Sequence, residues 1–275
     1  MKKEHDVRIN RTKLHPWLNY KLGLLLKQCA KKGIYLIITE GFRSKEYQDK
    51  LYAKGRTKPG NIVTNAKGSD YSSQHQWGIA FDIALKYDVD GDGRITDDTY
   101  NNKGIKDVAK IAKSKKVGLA WGGDWVSPLD TPHFYLEKWG DTPAKLKRTY
   151  GTFEKFKKTW TKEVFGTKKG LNIWNKTRTK VLKKKVPNKT KVNVMYISKG
   201  YAKVEYNGVV GYIKIWYNCK CYLYMLQNLG GTLMEETRRY LNMIDIPVDI
   251  VNEKELKKAE VFHKENKEEQ GEQRG

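Results

Sequence analysis

A chain of 275 residues with 39% hydrophobic residues can build one ordinary domain plus a smaller one, which excludes disorder throughout. Its 54 lysines and arginines against 31 aspartates and glutamates give a formal charge of +23. That charge calls for polyanionic surroundings, and DNA, RNA, anionic lipid and a teichoic-acid-bearing bacterial wall all qualify.

In chain order, the start MKKEHDVRINRTKLHPW is charged and has no apolar stretch of the kind a secretory signal needs. Pro16 can open a helix, and Trp17, Leu18, Leu22, Leu25, Leu26 and Cys29 follow at near-helical spacing up to a cap at Gly33. Ile34 to Thr39 is a short apolar β-rich run. Ser44 is placed to cap a second helix closed by Gly55, Ile79 to Leu85 alternates as a strand, and Ile105, Val108, Ile111 and Ala112 mark a third helix ending near Gly118. His133 to Leu136 reads as another strand. Helices mixed irregularly with short strands predict an α+β domain over 1–150 with a small antiparallel sheet.

After a linker over 151–167 the character changes. VNVMYI, YAKVEY and VVGYIKI are β-rich runs, with Asn207-Gly208 as a hairpin turn between two of them. A small all-β barrel is expected over 168–222, followed by a charge-mixed tail of unassigned role over 223–275. No run reaches the roughly eighteen apolar residues of a membrane span. Cys29 reads as a core residue, and Cys219 and Cys221 are too close to bridge each other, so no disulfide framework is implied.

The chemistry concentrates in two histidines. His75 lies in SSQHQWGIAFD, seven residues before Asp82; on one continuous helix the two would stand about 10 Å apart, too far to share an ion. A turn at Gly78 with Asp82 on the following strand folds the chain back and brings them together. His133 follows Asp130 in LDTPHFYL, where Pro132 holds Thr131 extended. Two histidines and one carboxylate with an open fourth position make a catalytic zinc site, in which zinc lowers the pKa of a bound water towards about 7. Asp130, close by but not a ligand, can take the proton and pass it to the leaving amine. Arg43 in EGFRS can stabilise the oxyanion.

These motifs carry a resemblance. GFRSKEYQDKLYAKGRT, then Ser73 to Asp82 as SxHxxGxAxD, then DTPHF, look like the zinc D-Ala-D-Ala carboxypeptidase and L-alanyl-D-glutamate endopeptidase family, in particular its phage endolysin and bacterial autolysin branch. The likeness spans roughly residues 12–140. It implies zinc on His75, Asp82 and His133, the base on Asp130, a substrate-polarising guanidinium on Arg43, and a Ser73 that helps hold the substrate or the site loop. The stretch LNIW…KVNVMYISKGYAKVEYNGVVGYIKI is similar to bacterial SH3-type wall-binding domains, although Trp174-Asn175-Lys176-Thr177 stand where that family has an arginine and Ser-Gly-Pro.

Other features admit plainer readings. His5, His15 and His263 are read as structural or surface residues. DVDGDGRITDD resembles a calcium loop, with Asp88, Asp90 and Asp92 at positions one, three and five; Thr99 stands where the bidentate Glu belongs, so a tight acidic turn is the alternative. The acid-free basic run from Lys176 to Lys191 is either a solvated face or a grip on a polyanion such as teichoic acid.

The leading expectation is a peptidoglycan endopeptidase that cuts the L-alanyl-D-glutamate bond with zinc, and calcium as a second candidate ion. Peptidoglycan and anionic wall polymers are its expected partners. It is expected to be made in the bacterial cytoplasm and to reach the wall on host lysis. A D-alanyl-D-alanine carboxypeptidase is the alternative reaction. A nucleic-acid-binding protein is suggested by charge alone and leaves the zinc pattern unexplained.

Overall fold

The computed structural model describes residues 4–86, 102–164, 170–177, 179–198 and 201–214. It divides into two compact units, Met1–Trp160 and Thr161–Gly275. The acidic loop with Asp88, Asp90 and Asp92, both C-terminal cysteines, His263 and the tail lie outside the described residues.

The first unit runs β1 (Asp6–Val7), α1 (Pro16–Ala30), β2 (Leu36–Glu40), α2 (Lys45–Ala53), β3 (Ala80–Leu85), α3 (Asn102–Lys113), β4 (Ala120–Trp121), β5 (His133–Tyr135), α4 (Ala144–Tyr150) and α5 (Phe153–Lys158). Pro16 opens α1 at a position where its missing N–H costs nothing, and His15 Nδ1 accepts from Trp17 N–H at 3.1 Å. Leu18, Leu22, Leu25 and Cys29 form its buried stripe. Each such leucine contributes roughly 1.5–3 kcal/mol through burial, which is what anchors the helix to the sheet.

The sheet order is β1-β2-β3-β5-β4. Four of its strands pair antiparallel, but β1 adds to the edge in parallel with β2, so the expected antiparallel sheet is mixed at one side. The parallel edge follows from connectivity: α1 carries the chain back across the sheet between β1 and β2, as a parallel pairing requires. A two-residue strand has no periodicity to read, which is why the charged start concealed it. Ile38, Phe81, Ile83, Leu85 and Phe134 bury in one core with the α1 stripe and with Ile105, Val108 and Ala112.

The stretch 151–167 differs from a plain linker. Phe153, Phe156 and Trp160 are buried in the core of the first unit. Phe156 stacks on His15 at 5.6 Å between centroids and meets Trp139 and Trp160 edge-on. The three aromatics recur at helical spacing among lysines, which made the segment look uniformly basic.

The second unit contains β6 (Thr161–Glu163), β7 (Leu171–Trp174), β8 (Val181–Val186), β9 (Lys191–Ser198), β10 (Tyr201–Tyr206) and β11 (Val209–Lys214). They form a six-stranded antiparallel sheet in the order β6-β9-β10-β11-β7-β8. Among the described residues the end strands β6 and β8 do not pair with each other. Asn207 and Gly208 both take positive φ in the two-residue turn joining Tyr206 to Val209. That is the turn whose twist matches paired strands. Val164, Ile173, Val186, Val192, Ala202, Val204 and Ile213 form a separate small core. The basic run holds β8, whose Val186 is fully buried, so it is not solvated along its whole length.

Candidate metal centre

Three strands and one turn build the site. Register places Glu40 opposite Asp82 and Asp82 opposite His133, a row across β2, β3 and β5. Directly opposed residues share a face, and that face is the one Phe81, Ile83 and Phe134 leave free by pointing into the core. His75 reaches the row from a single 3-10 turn, Gln74–Trp77, with Ser73 at its N-cap. Gly78 closes the turn at φ 64, and a Cβ there would stand 2.3 Å from the Lys13 carbonyl. Only glycine fits that reversal, which turns seven residues of sequence into contact between His75 and Asp82.

His75 Nε2 lies 3.2 Å from His133 Nδ1 and 3.2 Å from Asp82 Oδ1, and His133 Nδ1 lies 2.9 Å from the same oxygen. One ligand atom from each residue falls within a span of 4.8 Å. Both imidazoles are buried.

The outer contacts define what these atoms offer. His75 Nδ1 is 2.7 Å from the Gly41 carbonyl, which can only accept, so that nitrogen carries the proton. His133 Nε2 is 2.6 Å from Gln74 Oε1 and is likewise the donor. The inward nitrogens therefore present lone pairs to each other and to a carboxylate. Two lone pairs and an anion at such distances repel unless a cation lies among them. An ideal tetrahedral site with bonds of about 2.0 Å has ligand-to-ligand edges of about 3.3 Å, close to the separations seen. The donor set fits a divalent metal, and its imidazole–carboxylate chemistry suits zinc.

Asp82 divides its oxygens. Oδ1 faces the histidines, and Oδ2 accepts from Arg43 Nη2 at 3.2 Å. Burial works to raise its pKa, but when a proton rather than a metal lies between the imidazoles and Oδ1, the charges and hydrogen bonds of His75 and His133 hold it well below the usual carboxylate range. Burial pushes the His75 pKa down, favouring the neutral ring that a metal needs.

Arg43 sits between two carboxylates, with Nε 3.3 Å from Glu40 Oε2. That contact is an ion pair without hydrogen-bond geometry, leaving Nε buried with no hydrogen-bond partner. Glu40 Oε1 turns instead to Gly41 N–H at 3.2 Å.

Asp130 follows an exposed loop whose Val126 and Leu129 point to solvent. Its N–H donates to the Gly122 carbonyl at 3.2 Å, and its carbonyl accepts from His133 N–H at 3.3 Å. Burial, and then the Asp82 charge, raise its pKa above the ordinary value. A group so tuned gives up a proton more reluctantly than a surface aspartate.

The fold thus brings His75, Asp82, His133, Asp130 and Arg43 into one site, with Ser73 capping the turn. The outer layer was not singled out from sequence: Gln74, Glu40 and Trp125, whose ring lies 5.1 Å from His133. Gln74 adjoins His75, so its position was visible, but its burial was not.

Two histidines and a carboxylate close enough to share one ion, on a small α+β sheet, make the donor set that zinc hydrolases use. Residues 67–136 match the peptidase M15 family described as D-alanyl-D-alanine carboxypeptidase. The chain is 41% identical over 131 residues to the peptidoglycan L-alanyl-D-glutamate endopeptidase CwlK of Bacillus subtilis (strain 168), across 45% of this chain and 73% of the relative. The chain belongs to the M15 family of peptidases. The L-Ala D-Glu endopeptidase ChiX of Serratia marcescens aligns at 22% identity over 46% of this chain and 83% of its own, with a TM-score of 0.27.

Proposed function

We propose that this chain is a metal-dependent peptidoglycan endopeptidase that hydrolyses the L-alanyl-D-glutamate bond of the stem peptide. The observation that carries the reading is the 41% identity over 131 residues to an endopeptidase of that specificity.

His75, Asp82 and His133 would hold the metal, which we take to be zinc. Bound there, zinc would supply Lewis-acid activation of a water and of the scissile carbonyl. Asp130 takes the proton from the attacking water and delivers it to the nitrogen of the D-glutamate that leaves as the C–N bond breaks. Arg43 keeps one edge on Asp82, and its remaining donors stabilise the oxygen that gains charge on the L-alanyl carbonyl. Trp125 and the walls around His133 limit access of bulk water. Ser73 steadies the turn that carries His75.

The second unit is proposed as an SH3-like wall-binding module, and the division at 160 as the boundary between cutting and gripping. In support, Tyr196, Lys203, Tyr212 and Trp174 stand opposite one another across four neighbouring strands. Lys203 Nζ is 5.9 Å from both tyrosine rings, and their hydroxyls meet at 2.9 Å. Access to the wall from the cytoplasm on host lysis fits this pairing of activities.

The family description also favours a second reading, removal of the terminal D-alanine. Mass spectrometry of digested walls separates the two. Cleavage at L-Ala–D-Glu leaves glycan bearing a lone L-alanine and frees peptides that begin with D-glutamate. Release of free D-alanine with no such peptides would refute the proposed bond.

A further inference from the structure

Gln74 is buried with only 4% of its surface exposed, yet it lies beside the metal site without being a ligand. Its side-chain nitrogen donates to two backbone carbonyls, Gly140 at 3.1 Å and Asp141 at 3.0 Å. Both partners can only accept, so the amide has one permitted orientation. That orientation aims Oε1 at His133, whose Nε2 stands 2.6 Å away.

We infer that Gln74 is a positioning residue that fixes which nitrogen of His133 faces the metal. The inference rests on reading His75, Asp82 and His133 as metal ligands. With the Gln74 amide nitrogen held by the two carbonyls behind it and Oε1 turned to His133, the ring must carry its proton on Nε2 and present the Nδ1 lone pair to the ion. The other tautomer would aim a bare Nε2 lone pair at Oε1 and face Asp82 with an Nδ1–H. Lone pair against lone pair at that distance is unfavourable, so that tautomer is excluded.

The surroundings reinforce the lock. Tyr135, two residues along β5 from His133, donates its hydroxyl to Asp141 Oδ1, and Trp125 Nε1 donates to that hydroxyl at 3.0 Å. The segment that orients Gln74 is thus tied to the strand that carries His133, and the Trp125 ring lies against the imidazole. The residue that carries this lock is also the neighbour of His75 on the same turn. One turn therefore supplies the first ligand directly and orients the third through a hydrogen bond. Outer partners of ligating histidines generally matter by about 10–100-fold in metal affinity or activity.

The test uses the full chain and two substitutions. Gln74→Leu removes the acceptor and both donors. Gln74→Glu also removes the amide donors but keeps an oxygen for His133 Nε2–H. Zinc affinity is measured by competition with a chromophoric chelator. Gln74→Leu is expected to bind zinc about 10–100-fold more weakly than the parent, and Gln74→Glu to recover most of that loss. A merely structural role would lower both variants alike, because both lose the bonds to Gly140 and Asp141. Equal losses, or a Leu variant that binds as the parent does, would overturn the inference while leaving the peptidase reading intact. Nitrogen-15 NMR of the zinc-loaded parent gives a second reading that needs no variant: His133 should show its proton on Nε2 and the metal on Nδ1. The reverse assignment overturns the inference. A parent chain that takes up no zinc overturns the ligand assignment and this inference together.

Discussion

Replacing Asp130 with asparagine separates proton transfer from everything else the site does. Among the described residues, no hydrogen bond or ion pair engages the Asp130 carboxylate. Its structural bonds run through the backbone, to Gly122 and from His133. The amide has the same shape and leaves those bonds in place, so the direct cost to folding is close to zero. Removing a negative charge that Asp82 repels relieves the site slightly. The whole effect is therefore chemical. General acid–base catalysis contributes about 10²–10⁴-fold, which corresponds to about 3–5 kcal/mol of transition-state stabilisation lost. The assay follows release of D-glutamate-leading peptides from purified walls, with zinc content measured on the same preparation. The expected result is unchanged zinc, an unchanged melting temperature and a rate at least about a hundredfold lower. Loss of zinc would make Asp130 a ligand. Retention of zinc with a near-normal rate would place the base elsewhere, with Glu137 the next carboxylate to test.

Gly78→Ala should destabilise the first unit by several kcal/mol on the order of a severe overpacking penalty, because its Cβ would meet the Lys13 carbonyl at 2.3 Å; chemical denaturation would measure this, and a loss below about 1 kcal/mol would refute the close approach. His15 is buried, and burial lowers its pKa to about 3. The unfolded chain therefore takes up a proton that the native one refuses as pH falls from about 6.5 towards 3, and stability drops by up to about 1.4 kcal/mol per unit. His15→Asn keeps a capping acceptor for Trp17 N–H but does not titrate, so urea unfolding across pH 4–6 should show a shallower slope than the parent; an identical slope refutes the assignment. Removing residues 161–275 should spare cleavage of a soluble stem peptide but weaken sedimentation with walls, and rising salt should release the full chain. Equal sedimentation of the shortened chain would count against a separate wall-binding unit.

How much of this was legible in the sequence depends on the range of the interaction involved. The α1 stripe, the Ser44 cap and the Asn207-Gly208 turn are local, and spacing alone located them. The ligand candidates were legible because the glycine at 78 and the proline at 132 restricted how the chain could run between them. The register that sets Glu40, Asp82 and His133 in one row was not legible, since it depends on which strands pair and with what offset. Burial of Gln74 was hidden for the same reason: a glutamine beside a histidine looks alike in a solvent loop and in a closed site. The α5 aromatics were masked by their lysine neighbours, although Phe153, Phe156 and Trp160 follow a helical period.

The three candidate ligands hang from elements that are held without them. Asp82 and His133 belong to paired strands, and the turn bearing His75 is tied by Arg43 N–H to the His75 carbonyl and by His15 N–H to the Gly78 carbonyl. A scaffold of that kind stands ready before the ion arrives. Scavenging the metal should then silence the enzyme without unravelling it, and supplying the metal again should restore it at the pace of diffusion rather than of refolding. A chain built this way could travel empty and be armed wherever the metal is supplied.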